Sequence, residues 1–314
     1  MKLPQPPQNE AMYFIGVTTG DSKINKVFPR WVEILNLDAK LIGIDHKIHD
    51  KPESYRKTVK FIKEYELARG ALVTTHKIDL FNAASDLFDF FDYHAALQNE
   101  VSCISKMNGQ LLGQAKDPIT SGRALEDFVP QNFWREHNGE VMIMGAGGSA
   151  RAISSYLFAP DLTAAERPSR LIINNRSKPR LEKFERIFSR INSDVKVGYN
   201  LTPEPEDNDR VLQQLKPYSL IVNATGLGKD RPGSPLTDNC EFPENSIVWE
   251  INYRGDLKFL QQGLDQKEEK NLIVEDGWCY FIHGWSEHIS EVFDLELTEE
   301  LLEKLDRAAA EVRK

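Results

Sequence analysis

Two groups of residues in this chain have types and spacing that could do chemistry. The first is Gly145-Ala146-Gly147-Gly148-Ser149-Ala150, which follows the apolar run VMIM and opens a helical stretch. In that context a GxGxxG/A pattern reads as a phosphate-binding turn. Gly145 permits the tight turn, Gly147 lets the backbone approach a pyrophosphate, and Ala150 lets the helix sit close to its sheet. The N–H groups at the helix start then face the anion. After the next apolar run, LIINN, a site for NAD would place an acid against the ribose, but here the residues are Asn175-Arg176-Ser177. Arg176, helped by Ser177 and Arg180, can pair with a 2′-phosphate, so NADP(H) is expected over NAD.

The second group is Lys77, just after the run ALVTT, and Asp117, in GQAKD. A carboxylate beside a lysine orients the ammonium, which can then exchange a proton with a substrate hydroxyl. Among 39 basic and 48 acidic residues, such a pair could equally be two solvated surface groups.

Positioning these residues requires alternating strands and helices. MYFIGV (12–17), LIGIDH (41–46) and ALVTT (71–75) read as parallel strands, with helical spacing over 25–37 and 52–69 between them. Residues 100–105 and 110–114 flank Asn108-Gly109 and predict a hairpin at one edge. From 141 onward, LIINN, VKVGYN (195–200), YSLIVNAT (218–225) and SIVWEINY (246–253) supply the strands of a doubly wound sheet, and 204–210 is a solvated run. The stripe Leu301, Leu302, Leu305, Ala308, Ala309 and Val312, ending in Arg313 and Lys314, predicts a packed terminal helix. The fold class is therefore α/β: an N-terminal mixed-sheet domain followed by a Rossmann-type doubly wound domain. The expected boundaries are 1–122, with 276–314 packing back onto it, and 123–275.

The 314 residues carry a net charge of −9 and are 40% hydrophobic, enough to bury a core and unsuited to general nucleic-acid binding. Cys103, Cys240 and Cys279 form no CxxC pair, which fits a reducing cytoplasm. The opening MKLPQPPQNE reads as a frayed tail, and no run is long and apolar enough for a membrane span. There is no HExxH, His46 and His49 lack an arranged carboxylate set, and no GxSxG is present. Neither a metal site nor a covalent nucleophile is expected.

Read in order, five segments resemble the shikimate dehydrogenase family across residues 13–293: YFIGVTTGDSKI, GALVTTHK, GQAKD, MGAGGSARA with NRS, and NATGLG with DGWCYFIHGW. The resemblance implies a substrate domain first and an NADP domain second. Lys77 falls on the family's catalytic lysine and Asp117 on its partner. Gly145 to Ala150 fall on the phosphate loop and Asn175, Arg176 and Ser177 on the adenosine-phosphate clamp. Asn223, Ala224 and Thr225 fall on the strand end beneath the nicotinamide, and Gly277 on a glycine near it.

The departures from the family pattern fall in the substrate pocket. Ser22 matches the first of two carboxylate-binding serines, but Ile24 replaces the second. Ser102 replaces a ring-hydroxyl asparagine, Ala115 the asparagine of NTD, and Gly284 the final glutamine; Val73 and Thr75 replace a threonine and a proline. Ser22, Thr74, Ser102 and His283 remain as candidate substrate contacts. Each lost hydrogen bond is worth about 1 kcal/mol or more, so several losses together predict poor shikimate affinity. Trp278, Tyr280 and Trp285, with His76, either form an altered ring-binding surface or pack in the core. The expected activity is therefore NADP-dependent interconversion of a cyclic alcohol and ketone, on a shikimate-related polyhydroxylated carbocycle or a more apolar ring, by a monomer or homodimer. The rivals are a true shikimate or quinate dehydrogenase, a non-catalytic NADP-binding sensor or scaffold, and a folate-type methylene dehydrogenase, against which the motif order speaks.

Overall fold

The computed structural model describes residues 3–159, 162–163, 166–191, 195–229 and 231–313. The chain divides into two units, Met1–Lys116 with Gly284–Lys314, and Asp117–His283.

The first unit contains β1 (Glu10–Gly16), α1 (Ile24–Ile34), β2 (Ala39–Asp45), α2 (Pro52–Glu64), β3 (Ala68–Val73), α3 (Lys77–Ala84), β4 (Phe90–Phe91), α4 (Tyr93–Gln98), β5 (Cys103–Met107) and β6 (Gln110–Gln114). Its sheet runs β2-β1-β3-β5-β6-β4, with β1 parallel to β2 and β3, and β5 antiparallel to both β3 and β6. β1 is buried from Ala11 to Gly16 because it lies between two parallel partners, which suits its nearly unbroken apolar sequence. The β5–β6 turn has Asn108 and Gly109 both at positive φ, 51° and 76°, the type I′ geometry that Asn-Gly favours. The helix expected to reach residue 69 stops at Glu64. Ala68 pairs with Ala11, and at Gly70 a Cβ would meet the Ile104 carbonyl at 2.1 Å, so sheet pairing wins over helical spacing there. The opening segment does not simply fray, since Leu3 packs against the core of this sheet.

The second unit contains α5 (Asp117–Phe128), α6 (Phe133–His137), β7 (Val141–Met144), α7 (Gly148–Leu157), β8 (Arg170–Asn175), α8 (Lys178–Phe188), β9 (Lys196–Leu201), α9 (Pro205–Leu212), β10 (Leu220–Asn223), β11 (Ile247–Glu250), α10 (Lys258–Lys270) and β12 (Ile273–Glu275). Its all-parallel sheet runs β12-β11-β10-β7-β8-β9, so the strand order reverses between β7 and β10. Ligands in doubly wound folds bind at the strand ends of that switch point. The solvated run 204–210 is mostly helix α9, opened by a reciprocal Glu204–Asp207 capping box and a first-turn proline.

α11 (Trp278–Phe293) contributes residues to both units, and α12 (Glu299–Arg313) closes the chain. α12 buries Leu305 and Ala309, and the Leu305 carbonyl accepts the Trp31 indole N–H from α1 at 2.8 Å. Lys314 lies outside the described residues. No helix among the described residues is long and apolar enough to cross a membrane.

Candidate active site

In the second unit, β7 ends at Gly145, whose φ of +118° excludes ordinary side chains and whose Cβ would sit 2.4 Å from the Ala224 carbonyl. The Gly145 N–H donates to the Asn174 carbonyl and the Ala224 N–H to the Met144 carbonyl, which ties the ends of β7, β8 and β10 together. Gly147 caps α7 in an extended conformation, and a Cβ on Gly147 or Gly148 would face open space. Gly145 is therefore required by the fold, whereas Gly147 and Gly148 leave room for a ligand. Ala150 is fully buried against the sheet.

This turn borders a cavity of about 310 Å³ lined also by Asn175, Arg176 and Arg180. Three features of the cavity were not anticipated from sequence: Arg231, Glu204 and Asn208 on its wall. Asn208 accepts from the Asn174 amide at 2.9 Å, and Asn200 donates to Asn174 at 2.9 Å, so a buried amide chain braces the end of β8. The Asn175 amide donates to the Ser177 carbonyl and shapes the turn that presents Arg176. Arg231 could have been suspected from its place in the loop after NATGLG, whose Gly228 N–H donates to its carbonyl.

Asn223 is fully buried. Its amide donates to Glu250 and its oxygen accepts from the Thr225 backbone and hydroxyl, so it shapes the turn that follows β10. Ala224 and Thr225 line the cavity themselves. Gly277 is a glycine because of close approach: a Cβ would meet the Ile251 carbonyl at 2.0 Å.

In the first unit, Lys77 is the first residue of α3 and half-buried, and its carbonyl accepts from Val101. The start of that helix is held by His76, whose ring contacts the Tyr55 hydroxyl at 3.0 Å and the Gly16 carbonyl at 3.1 Å. Burial keeps both His76 and its neighbour His46 below the usual histidine range. Thr74 and Ser22 are half-buried, the latter beside fully buried Ile24. Ser102 is completely buried and its hydroxyl accepts the Lys116 N–H at 2.8 Å, so it braces the backbone at Lys116.

Sequence reasoning also missed a charged cluster behind this strand end. Lys116 Nζ lies 2.6 Å from Glu291 and 3.7 Å from Glu287, and Gln114 also donates to Glu291. Burial works against the Lys116 ammonium, but Glu291 and Glu287 outweigh it and hold the group above the usual lysine range. The i, i+4 spacing of the two acids on α11 was the available signal.

Asp117 opens α5 in the second unit and is buried. His283 is buried too, and its Nε2 lies 2.7 Å from Asp127, so its ring is already engaged. The aromatics of α11 pack: Trp285 meets Phe14 edge-on, Trp278 stacks on Phe281, and Tyr280 meets Trp249.

Comparison with known proteins adds to this geometry. A shikimate dehydrogenase (NADP(+)) from Nitrosopumilus maritimus is 26% identical over 244 residues, 78% of each chain. The crystal structure of shikimate dehydrogenase from Aquifex aeolicus aligns with a TM-score of 0.72 at 20% identity, covering 96% of this chain and 98% of that one. The chain is thus similar to shikimate dehydrogenases in sequence and shares their fold. The ligand-free 5-ketofructose reductase of Gluconobacter sp. strain CHM43 aligns with a TM-score of 0.69 at 18% identity, covering 96% and 98%. No protein-family model matches the chain. Lys77, Asp117 and the glycine turn keep the residue types of the motifs that the sequence resembles, whereas Ile24, Ser102 and Ala115 depart from them.

Proposed function

We propose that this chain is an NADP-dependent oxidoreductase acting on a CH–OH group, which interconverts a cyclic polyhydroxylated alcohol and its ketone. One observation carries the cofactor assignment: a glycine turn with open space over Gly147 and Gly148 borders a cavity whose wall includes Arg176, Arg180 and Arg231. The backbone N–H groups at the start of α7 would hold the pyrophosphate. The guanidinium groups would hold a 2′-phosphate and outnumber the single acid, Glu204, on that wall. Bound NADP(H) supplies hydride transfer, and the chain supplies orientation and proton handling.

Lys77 is assigned the proton exchange with the substrate hydroxyl, and Asp117 the role of keeping that lysine charged and oriented. The start of α3 favours this use, because the buried His76 contacts fix the backbone from which Lys77 projects. For the substrate, Ser22 and Thr74 are the open polar groups among the candidates. The fully buried Ile24 offers no hydroxyl where the family pair has its second serine, so a substrate without a ring carboxylate is favoured over shikimate.

A panel of cyclic polyols and ketones, read by NADPH absorbance, tests the reading. Wild type is expected to turn over a carboxylate-free member faster than shikimate, and Lys77→Ala to lower kcat by about a hundredfold or more with NADPH binding kept. Preference for shikimate would overturn the substrate assignment, and unchanged turnover in Lys77→Ala the catalytic one. NADPH binding without turnover of any carbocycle would favour the sensor or scaffold reading.

A further inference from the structure

We propose that Asp127, Cys279 and His283 form a binding site for a zinc-type divalent cation. Cys279 Sγ and His283 Nε2 lie 2.9 Å and 2.7 Å from the same oxygen, Asp127 Oδ2. One ligand atom from each of the three side chains falls within 4.8 Å of the other two. Thiolate, imidazole and carboxylate are the donors zinc takes, with bonds of about 2.0 to 2.3 Å, so donors around one ion sit roughly 3 to 4 Å apart. Small side-chain adjustments convert the observed cluster into that arrangement.

The scaffold beneath the cluster is rigid. Cys279 and His283 are four residues apart on α11 and share a face, while Asp127 sits in the last turn of α5. Their neighbours Tyr280 and Phe128 both pack against Trp249, which fixes the two helices that carry the ligands. The Asp127 side chain is 55% exposed and that of His283 10%, so an ion has a route in and a fourth position open to water. None of the three residues lines the cavity assigned to the cofactor.

A cysteine nucleophile would need the imidazole against the thiol, with the acid behind the imidazole. Here the carboxylate is the hub and the thiol and the ring both meet it, which suits shared coordination. Binding forms metal–sulfur, metal–nitrogen and metal–oxygen bonds, moves the histidine proton to Nδ1, and releases the single thiol proton to solvent. Thiolate and carboxylate then balance the charge of the dication. The sequence expectation of no metal site looked for compact motifs, whereas Asp127 lies 152 residues from Cys279.

The test is cobalt titration of the full-length, chelator-treated protein, followed by zinc. One equivalent of cobalt is expected to give a thiolate-to-metal charge-transfer band with tetrahedral visible bands, lost on adding one equivalent of zinc. Cys279→Ala should remove the charge-transfer band and Cys240→Ala should keep it. Asp127→Asn, at an exposed position, should weaken cobalt binding by on the order of tenfold or more without changing the circular dichroism. Absence of the charge-transfer band in folded wild type, its survival in Cys279→Ala, or unchanged affinity in Asp127→Asn would each overturn the proposal.

Discussion

The Asn223 amide donates to Glu250 Oε2 at 2.6 Å, and these two completely buried residues face each other at the ends of adjacent parallel strands. Asn252 donates to the other Glu250 oxygen from both its backbone and its side chain. Those contacts favour a carboxylate, yet burial outweighs them and Asp276 adds repulsion, pushing Glu250 up to about 7.

That shift fixes the sign of a pH dependence. The folded value lies above the ordinary 4.5, so the stability Glu250 contributes is present below pH 4.5 and is lost as pH rises through about 7. The full loss is on the order of 3 kcal/mol. Urea unfolding should give a free energy that declines across this window, with a shallower decline in Glu250→Gln. Equal slopes in the two proteins would refute the assignment.

His46 and His76 act on the acid side. Burial is the main reason both sit below the ordinary 6.5, so the stability they contribute is present above pH 6.5 and is lost as pH falls towards their folded values. The start of α3, which carries Lys77, should loosen in that window. NMR ring titrations are expected to show two histidines still neutral at pH 6.5; both titrating at or above it would contradict the buried contacts.

The glycines of the turn between β7 and α7 should separate folding from the proposed cofactor binding. Gly145→Ala meets the Ala224 carbonyl and an unfavourable φ, and should destabilise by at least about 1–2 kcal/mol. Gly147→Ala has φ of −88° and open space, so its thermal midpoint should match wild type while NADPH affinity falls. Calorimetry with a fluorescence binding titration distinguishes the two; a destabilised Gly147→Ala would show that the space is not a ligand's.

Arg231 should discriminate between cofactors. A lost charge-assisted hydrogen bond costs about 1.5–3 kcal/mol, so Arg231→Ala and Arg176→Ala should each raise KM for NADP by roughly tenfold to a hundredfold and leave KM for NAD nearly unchanged. Equal effects on both cofactors would place these arginines away from the 2′-phosphate.

Much of the fold is visible in the sequence because its signals are local. Asn108-Gly109 specifies a turn by itself, and the buried parallel strands β1, β7 and β10 read as unbroken apolar runs. What escapes is set by partners distant in the chain. β4 has two residues and exists only because β6 lies beside it, and Ala68 is strand because Ala11 pairs with it. The same holds for function. The glycine turn announces itself, but nothing local in Glu250 or Lys116 says that the fold will bring them to Asn223 and Glu291. Ser102 shows the converse: its sequence position suggested a ligand contact, while its burial gives its hydroxyl to the Lys116 backbone.

The close approach of Gly145 to the Ala224 carbonyl means that the two loops framing the cavity beside α7 are set by main chain against main chain. At that junction the shape of the receptacle is thus independent of the side chains that reach into it. Evolution, or a protein engineer, can exchange residues at positions such as 176 and 180 to retune cofactor choice at little cost to the architecture, as long as that one glycine stays.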